Sequence, residues 1–64
     1  MTIHANATAI KQFGQWFVVT AETVDERRKV EARANLLWVD HREPTLQEWE
    51  SLETITASQW LHGE

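Results

Sequence analysis

"SLETITASQW", Ser51–Trp60, decides how this chain folds. Read onward from Leu46, it continues a helical arc, with Leu46, Trp49, Leu52, Thr56, Ala57 and Trp60 falling on one side. Read by itself, Thr54-Ile55-Thr56 is a β-branched run of low helix propensity, and Ile55 points off that arc. The first reading gives a helix over residues 46–62. The second ends the helix near Glu53 and adds a strand. Both ends favour the long helix. Thr45-Leu46-Gln47-Glu48 matches a capping box, and His62-Gly63 supplies the cation and the glycine suited to a helix C-terminus. The long helix is the expectation, and a C-terminal strand is the open alternative.

Upstream, Asp40-His41-Arg42-Glu43-Pro44 interrupts helix, because proline disfavours helical geometry in the residue before it. An earlier helix is expected over residues 24–39. Thr23-Val24-Asp25-Glu26 opens it with a second capping box, and Asp25 and Glu26 sit where the helix dipole favours negative charge. Val30, Ala34, Leu37 and Trp38 lie on one arc. Arg27 lies one turn earlier, where its stem covers apolar surface or its head meets an anion. Leu36-Leu37-Trp38-Val39 is apolar on nearly every side, as suits a turn wedged between layers or facing a partner.

Residues 2–21 are rich in β-branched and aromatic side chains and are broken once, at Phe13-Gly14-Gln15-Trp16. Gly14-Gln15 suits a type II′ hairpin turn. That register sets Phe13 opposite Trp16, Gln12 opposite Phe17 and Ile10 opposite Val19. One face of the ribbon then carries Ile10, Phe17, Val19 and Ala21, and the other Ala9, Phe13, Trp16 and Val18. Two helices cover only one such face, so apolar surface is left over. The expected fold is α+β: an N-terminal β-hairpin followed by two antiparallel helices (ββαα), with ββαβ as the alternative. The whole chain, residues 1–64, forms one domain on this reading. The expected core is Ile10, Phe17, Val19, Val30, Ala34, Leu37, Leu46, Trp49, Leu52 and Trp60.

A chain of 64 residues buries only about 60% of the surface its unfolded form exposes. Domains of this size usually add a disulfide, a metal or a partner. There is no cysteine, which fits a reducing, cytoplasmic setting. Met1-Thr2-Ile3-His4 lacks the features of a signal peptide, and no apolar run approaches the roughly 20 residues of a membrane span. The charge is uneven. Residues 1–42 hold all six bases and five acids, whereas residues 43–64 hold five acids and no base. Such a bipolar pattern suits two complementary solvated faces or the steering of a charged partner.

Catalytic patterns are missing. Ser51 and Ser58 have no Gly-x-Ser-x-Gly setting, two glycines do not make a phosphate loop, and His4, His41 and His62 lack metal-ligand spacing. No enzyme activity, cofactor or metal is therefore expected. Arg27, Arg28, Lys29 and Arg33 form the one basic cluster, interleaved with Asp25, Glu26 and Glu31. A nucleic-acid-binding accessory protein built on Arg27–Arg33 is the alternative function.

TAETVDE, Thr20–Glu26, resembles the strand-to-helix corner of small phage inhibitors of bacterial RNA polymerase. TLQEW, followed by SLET, resembles the start of phage excisionases. The excisionases continue into a basic winged-helix body, where this chain has its acidic segment. Each likeness covers one short stretch and carries no functional residue across. Together they imply a phage or mobile-element inhibitor or regulator. The function expected is thus a non-enzymatic protein-binding module that occupies a surface of a larger host complex. Phe13, Trp16, Val18, Arg27, Arg28, Arg33 and Trp38 are its candidate contact residues, and a homodimer is the simplest self-partner.

Overall fold

A computed structural model of the chain describes residues 6–62. It shows a small α+β fold with a four-stranded mixed sheet and three helices. In chain order these are β1 (Ala7–Gln12), β2 (Gln15–Thr20), α1 (Val24–Leu37), β3 (His41–Arg42), α2 (Leu46–Ser51), β4 (Thr54–Thr56) and α3 (Ala57–Leu61). The sheet order is β3-β1-β2-β4. The ββαα arrangement is not what forms, because strands also follow the first helix. The β-branched run wins at residues 54–56, where it pairs parallel to β2, with Val19 opposite Ile55. Thr20 Oγ1 also donates to Ile55 O at 3.3 Å. The remaining helical signal survives on both sides of this strand as α2 and α3.

The hairpin turn differs from the expected one. Gln12 pairs with Gln15, so Phe13 and Gly14 are its two central residues. Their φ angles, +55° and +79°, are both positive, as in a type I′ turn. Ile10 therefore lies opposite Phe17 rather than Val19. Each residue's partner is displaced by two positions, and a two-residue shift preserves the faces. Ile10, Phe17, Val19 and Ala21 still share one side.

That side packs against α1 and α3 in a core of Ile10, Val19, Ala21, Val30, Ala34, Ala57 and Trp60, edged by Phe17, Val39, Ile55 and Leu61. Leu37 and Leu46, expected inside, are largely exposed. Trp49 and Leu52 are half-buried. The opposite side is not left bare. Ala9 and Val18 are fully buried there. β3 and β4 both run in the direction of β2, at opposite edges of the sheet. The connection β2-α1-β3 crosses the sheet one way, and β3-α2-β4 returns the other way. Right-handed crossovers in opposite directions place their helices on opposite faces. Consistently, Arg42 pairs with Ala9, shares its face, and bonds to Glu48 of α2. The returning connection thus covers the apolar face that a ββαα chain would have exposed.

Three threonines start the three helices. Thr23 Oγ1 accepts from Glu26 N at 3.1 Å, while the Glu26 carboxylate reaches back past it to Glu22 N. Thr45-Glu48 and Thr56-Gln59 form full capping boxes. The last of these is a T-x-x-Q pattern that the long-helix reading passed over. At the other end of α1, Val39 N donates to Ala34 O and Trp38 N to Asn35 O. This Schellman closure ends α1 at Leu37, two residues earlier than expected, and forces Trp38 to φ +59°. The start of the expected hairpin segment, residues 2–5, and the glycine cap at Gly63 lie outside the described residues.

Candidate functional site

The sheet's connectivity gathers exposed apolar side chains at the hairpin-tip end. Asp40 O accepts from Lys11 N at 2.9 Å, so the chain leaving α1 lands beside the tip. Phe13, at the turn, and Leu37, on the last turn of α1, line one groove. Leu36 and Trp38 flank Leu37 in sequence. Phe13 is 91% exposed, Trp38 92% and Leu36 80%. The groove has a volume of about 380 Å³. Phe13, Phe17, Leu37, Ile55 and Trp60 make its apolar lining, and Gln12, Gln15, Arg33, Glu53 and Gln59 its polar lining. Trp60 Nε1 donates to Gln12 Oε1 at 3.1 Å, which joins α3 to the hairpin beneath the tip.

The backbone at this end is unusual. Among the described residues, Phe13 and Trp38 are the two non-glycine residues with positive φ. The left-handed region brings Cβ against the following carbonyl oxygen, which costs an L-residue roughly 1–2 kcal/mol. Glycine or asparagine normally fills such positions. Here two large aromatic residues do, and neither recovers the cost by burial.

The remaining candidate contact residues are scattered. Val18 is fully buried and offers no surface. Trp16 is half-buried on the α2 side of the sheet, with Arg42 Cζ 4.4 Å from its ring centroid. Phe13 and Trp16 therefore do not form the side-by-side pair expected across a Gly14-Gln15 turn. Arg27 is half-buried and lies 3.7 Å from Glu31, an i,i+4 pair open to water. Arg28 and Arg33 are exposed on α1. Of the basic cluster, only Arg33 reaches the groove.

Glu48 has a displaced titration. The Thr45 backbone N–H bonded to it, and then Arg42, hold it below the ordinary glutamate range. That bond closes the α2 cap. Among the described residues, no group of three or more His, Cys, Asp or Glu side chains is placed to hold a metal ion, and no helix is long and apolar enough to cross a membrane. Gln12, Gln15 and Gln59 were not legible as site residues, because only the hairpin register and the β4-α3 junction bring them together. In comparisons with known proteins, no family model, curated protein or solved structure matches the chain.

Proposed function

We propose that this chain is a small non-catalytic protein-binding module that acts by occupying a surface of a larger protein assembly through its hairpin-tip end. One observation carries the reading: Phe13 and Trp38 stand almost fully exposed on left-handed backbone. Exposure of a large aromatic and a strained backbone both oppose stability, and both recur at one end of the fold. Strain of this kind is held at functional positions, and aromatic residues dominate binding hot spots. A phage or mobile-element inhibitor or regulator is the biological form suggested by the two short sequence resemblances.

The basic face of α1 supports a second reading, nucleic-acid binding. Arg28, Lys29 and Arg33 are exposed and make no ion pair with any described residue. The two readings separate in one experiment. Wild-type protein and the variant Phe13→Asp/Trp38→Asp are immobilised and challenged with lysate of the native host, with folding checked by circular dichroism. Protein binding predicts a retained partner that survives moderate salt and is lost from the folded variant. Nucleic-acid binding predicts retention that collapses with salt and is insensitive to the two aromatic changes. Equal retention by both proteins would reject the tip as the binding end.

A further inference from the structure

We infer that the groove beside the tip takes an extended peptide segment of a protein partner, in which a large apolar side chain is followed by a carboxylate. This rests on the protein-binding reading and names the chemistry of its partner.

The atoms that line the groove set the chemistry of its occupant. An indole N–H is a donor only. The Gln12 atom facing Trp60 Nε1 at 3.1 Å is therefore its carbonyl oxygen, and the Gln12 amide nitrogen points elsewhere. The same logic holds for Gln59. Its Oε1 accepts from the backbone N–H of Thr56 at 3.1 Å, which leaves its amide nitrogen over. Among the described residues, neither nitrogen has an acceptor and no carboxylate pairs with the Arg33 guanidinium. The polar lining thus presents the amide NH₂ groups of Gln12 and Gln59 and the Arg33 guanidinium, none with an acceptor among the described residues, beside the Gln15 amide and Glu53, around an apolar floor.

Such a lining complements an occupant that offers acceptors and one negative charge on the Arg33 side and donors on the Glu53 side. Glu53, the one acid of the lining, precedes β4, whereas Arg33 belongs to α1. The two make no ion pair with each other. A peptide meets both demands when its carboxylate lies towards Arg33 and its backbone N–H groups lie towards Glu53. The volume, about 380 Å³, is at the lower end of ligand-sized cavities and suits one large side chain with little else. A nucleic-acid strand fits less well, because Glu53 would face its phosphates.

The test is a titration of ¹⁵N-labelled protein with acetyl-Gly-Phe-Asp-Gly amide, following the Trp60 indole N–H and the side-chain amides of Gln12 and Gln59. Saturable shifts of these signals are expected. Replacing Asp by Asn in the peptide, or Arg33→Gln in the protein, should each weaken binding by about fivefold, the loss of one charge-assisted contact. The two changes together should weaken it little further, since they remove the same contact. Replacing Phe by Ala in the peptide should abolish the shifts. Arg33 is exposed, so its variant keeps the fold. An absence of saturable shifts, or an Arg33→Gln protein of unchanged affinity, overturns the proposal. So does a shift of the same signals on concentrating the protein alone, which would make a second copy the occupant. If the tip variant loses its cellular partner while the peptide fails to bind, only the groove chemistry is wrong. If the tip variant keeps its partner, the underlying protein-binding reading fails.

Discussion

Arg42 lies over the Trp16 ring, 4.4 Å from its centroid, while its two terminal nitrogens donate to the Glu48 carboxylate at 2.7 and 2.5 Å. One side chain on the two-residue strand β3 thereby ties α2 to the hairpin. The bidentate fork is a geometry that arginine provides and lysine does not. Trp16, a candidate contact residue on the sequence alone, is held beneath this clasp.

The clasp is expected to show as coupling in a double-mutant cycle. Arg42→Gln and Trp16→Leu should each lower the midpoint of chemical denaturation. The pair should show a coupling of about 0.5–1 kcal/mol, the range for cation–π contacts at exposed sites. Additive effects would mean that the ring and the guanidinium are merely neighbours.

The same network predicts a dependence on acid. The folded-state pKa of Glu48 is lowered, chiefly by the Thr45 backbone N–H and then by Arg42. A carboxylate with a depressed folded pKa contributes stability above its unfolded pKa. That contribution fades as pH falls through the folded value. Wild type should therefore exceed Glu48→Gln in stability near neutral pH, and the gap should narrow as the solution is acidified through and below the ordinary glutamate range. Denaturation curves of both proteins across that range test this. A gap that persists in strong acid would assign the effect to packing.

Phe13→Asn should stabilise the fold. Asparagine tolerates positive φ, and Asn-Gly is the preferred pair for the type I′ turn that Phe13-Gly14 now makes. A gain of about 1 kcal/mol is expected, read as a raised thermal midpoint, with partner binding weakened. A drop in stability would show that the Phe13 ring contributes packing despite its exposure.

Trp38→Gly acts at the matching position on α1. Glycine is the usual residue for the left-handed position of a Schellman closure, and a side chain 92% exposed has little packing to lose. A rise of about 1 kcal/mol is expected, again at the expense of binding. Gains from both variants with retained binding would leave the strain without a functional reason.

Thr56→Ala tests the short helix that the sequence pattern obscured. Removing the hydroxyl leaves Gln59 N without its acceptor at the start of α3. Loss of an N-cap costs about 1 kcal/mol, and Thr23→Ala should behave alike at α1. α3 also carries Trp60, so the Thr56 variant should additionally disturb the Trp60 indole N–H resonance. An unchanged resonance together with an unchanged midpoint would remove the cap from the account.

Capping and facing were legible in the sequence. They depend on a hydroxyl three residues from an N–H, and on the two-residue alternation of a strand. The starts at Thr23 and Thr45, and the shared side of Ile10, Phe17 and Val19, follow from those local rules. Glycine position alone did not set the register. A hairpin of the same parity forms on either side of Gly14, and the structure takes the one that puts strain on Phe13. Residues 51–60 could not be settled locally either. Thr54-Ile55-Thr56 becomes a strand because the edge of β2 offers its backbone groups partners, a long-range gain that no window of sequence contains. That added edge strand sends the chain back across the sheet, covers Ala9 and Val18, and leaves the exposed aromatic residues at the tip. The location of the candidate site was therefore a decision of tertiary structure, made where two crossovers of opposite direction enclose both faces of one hairpin.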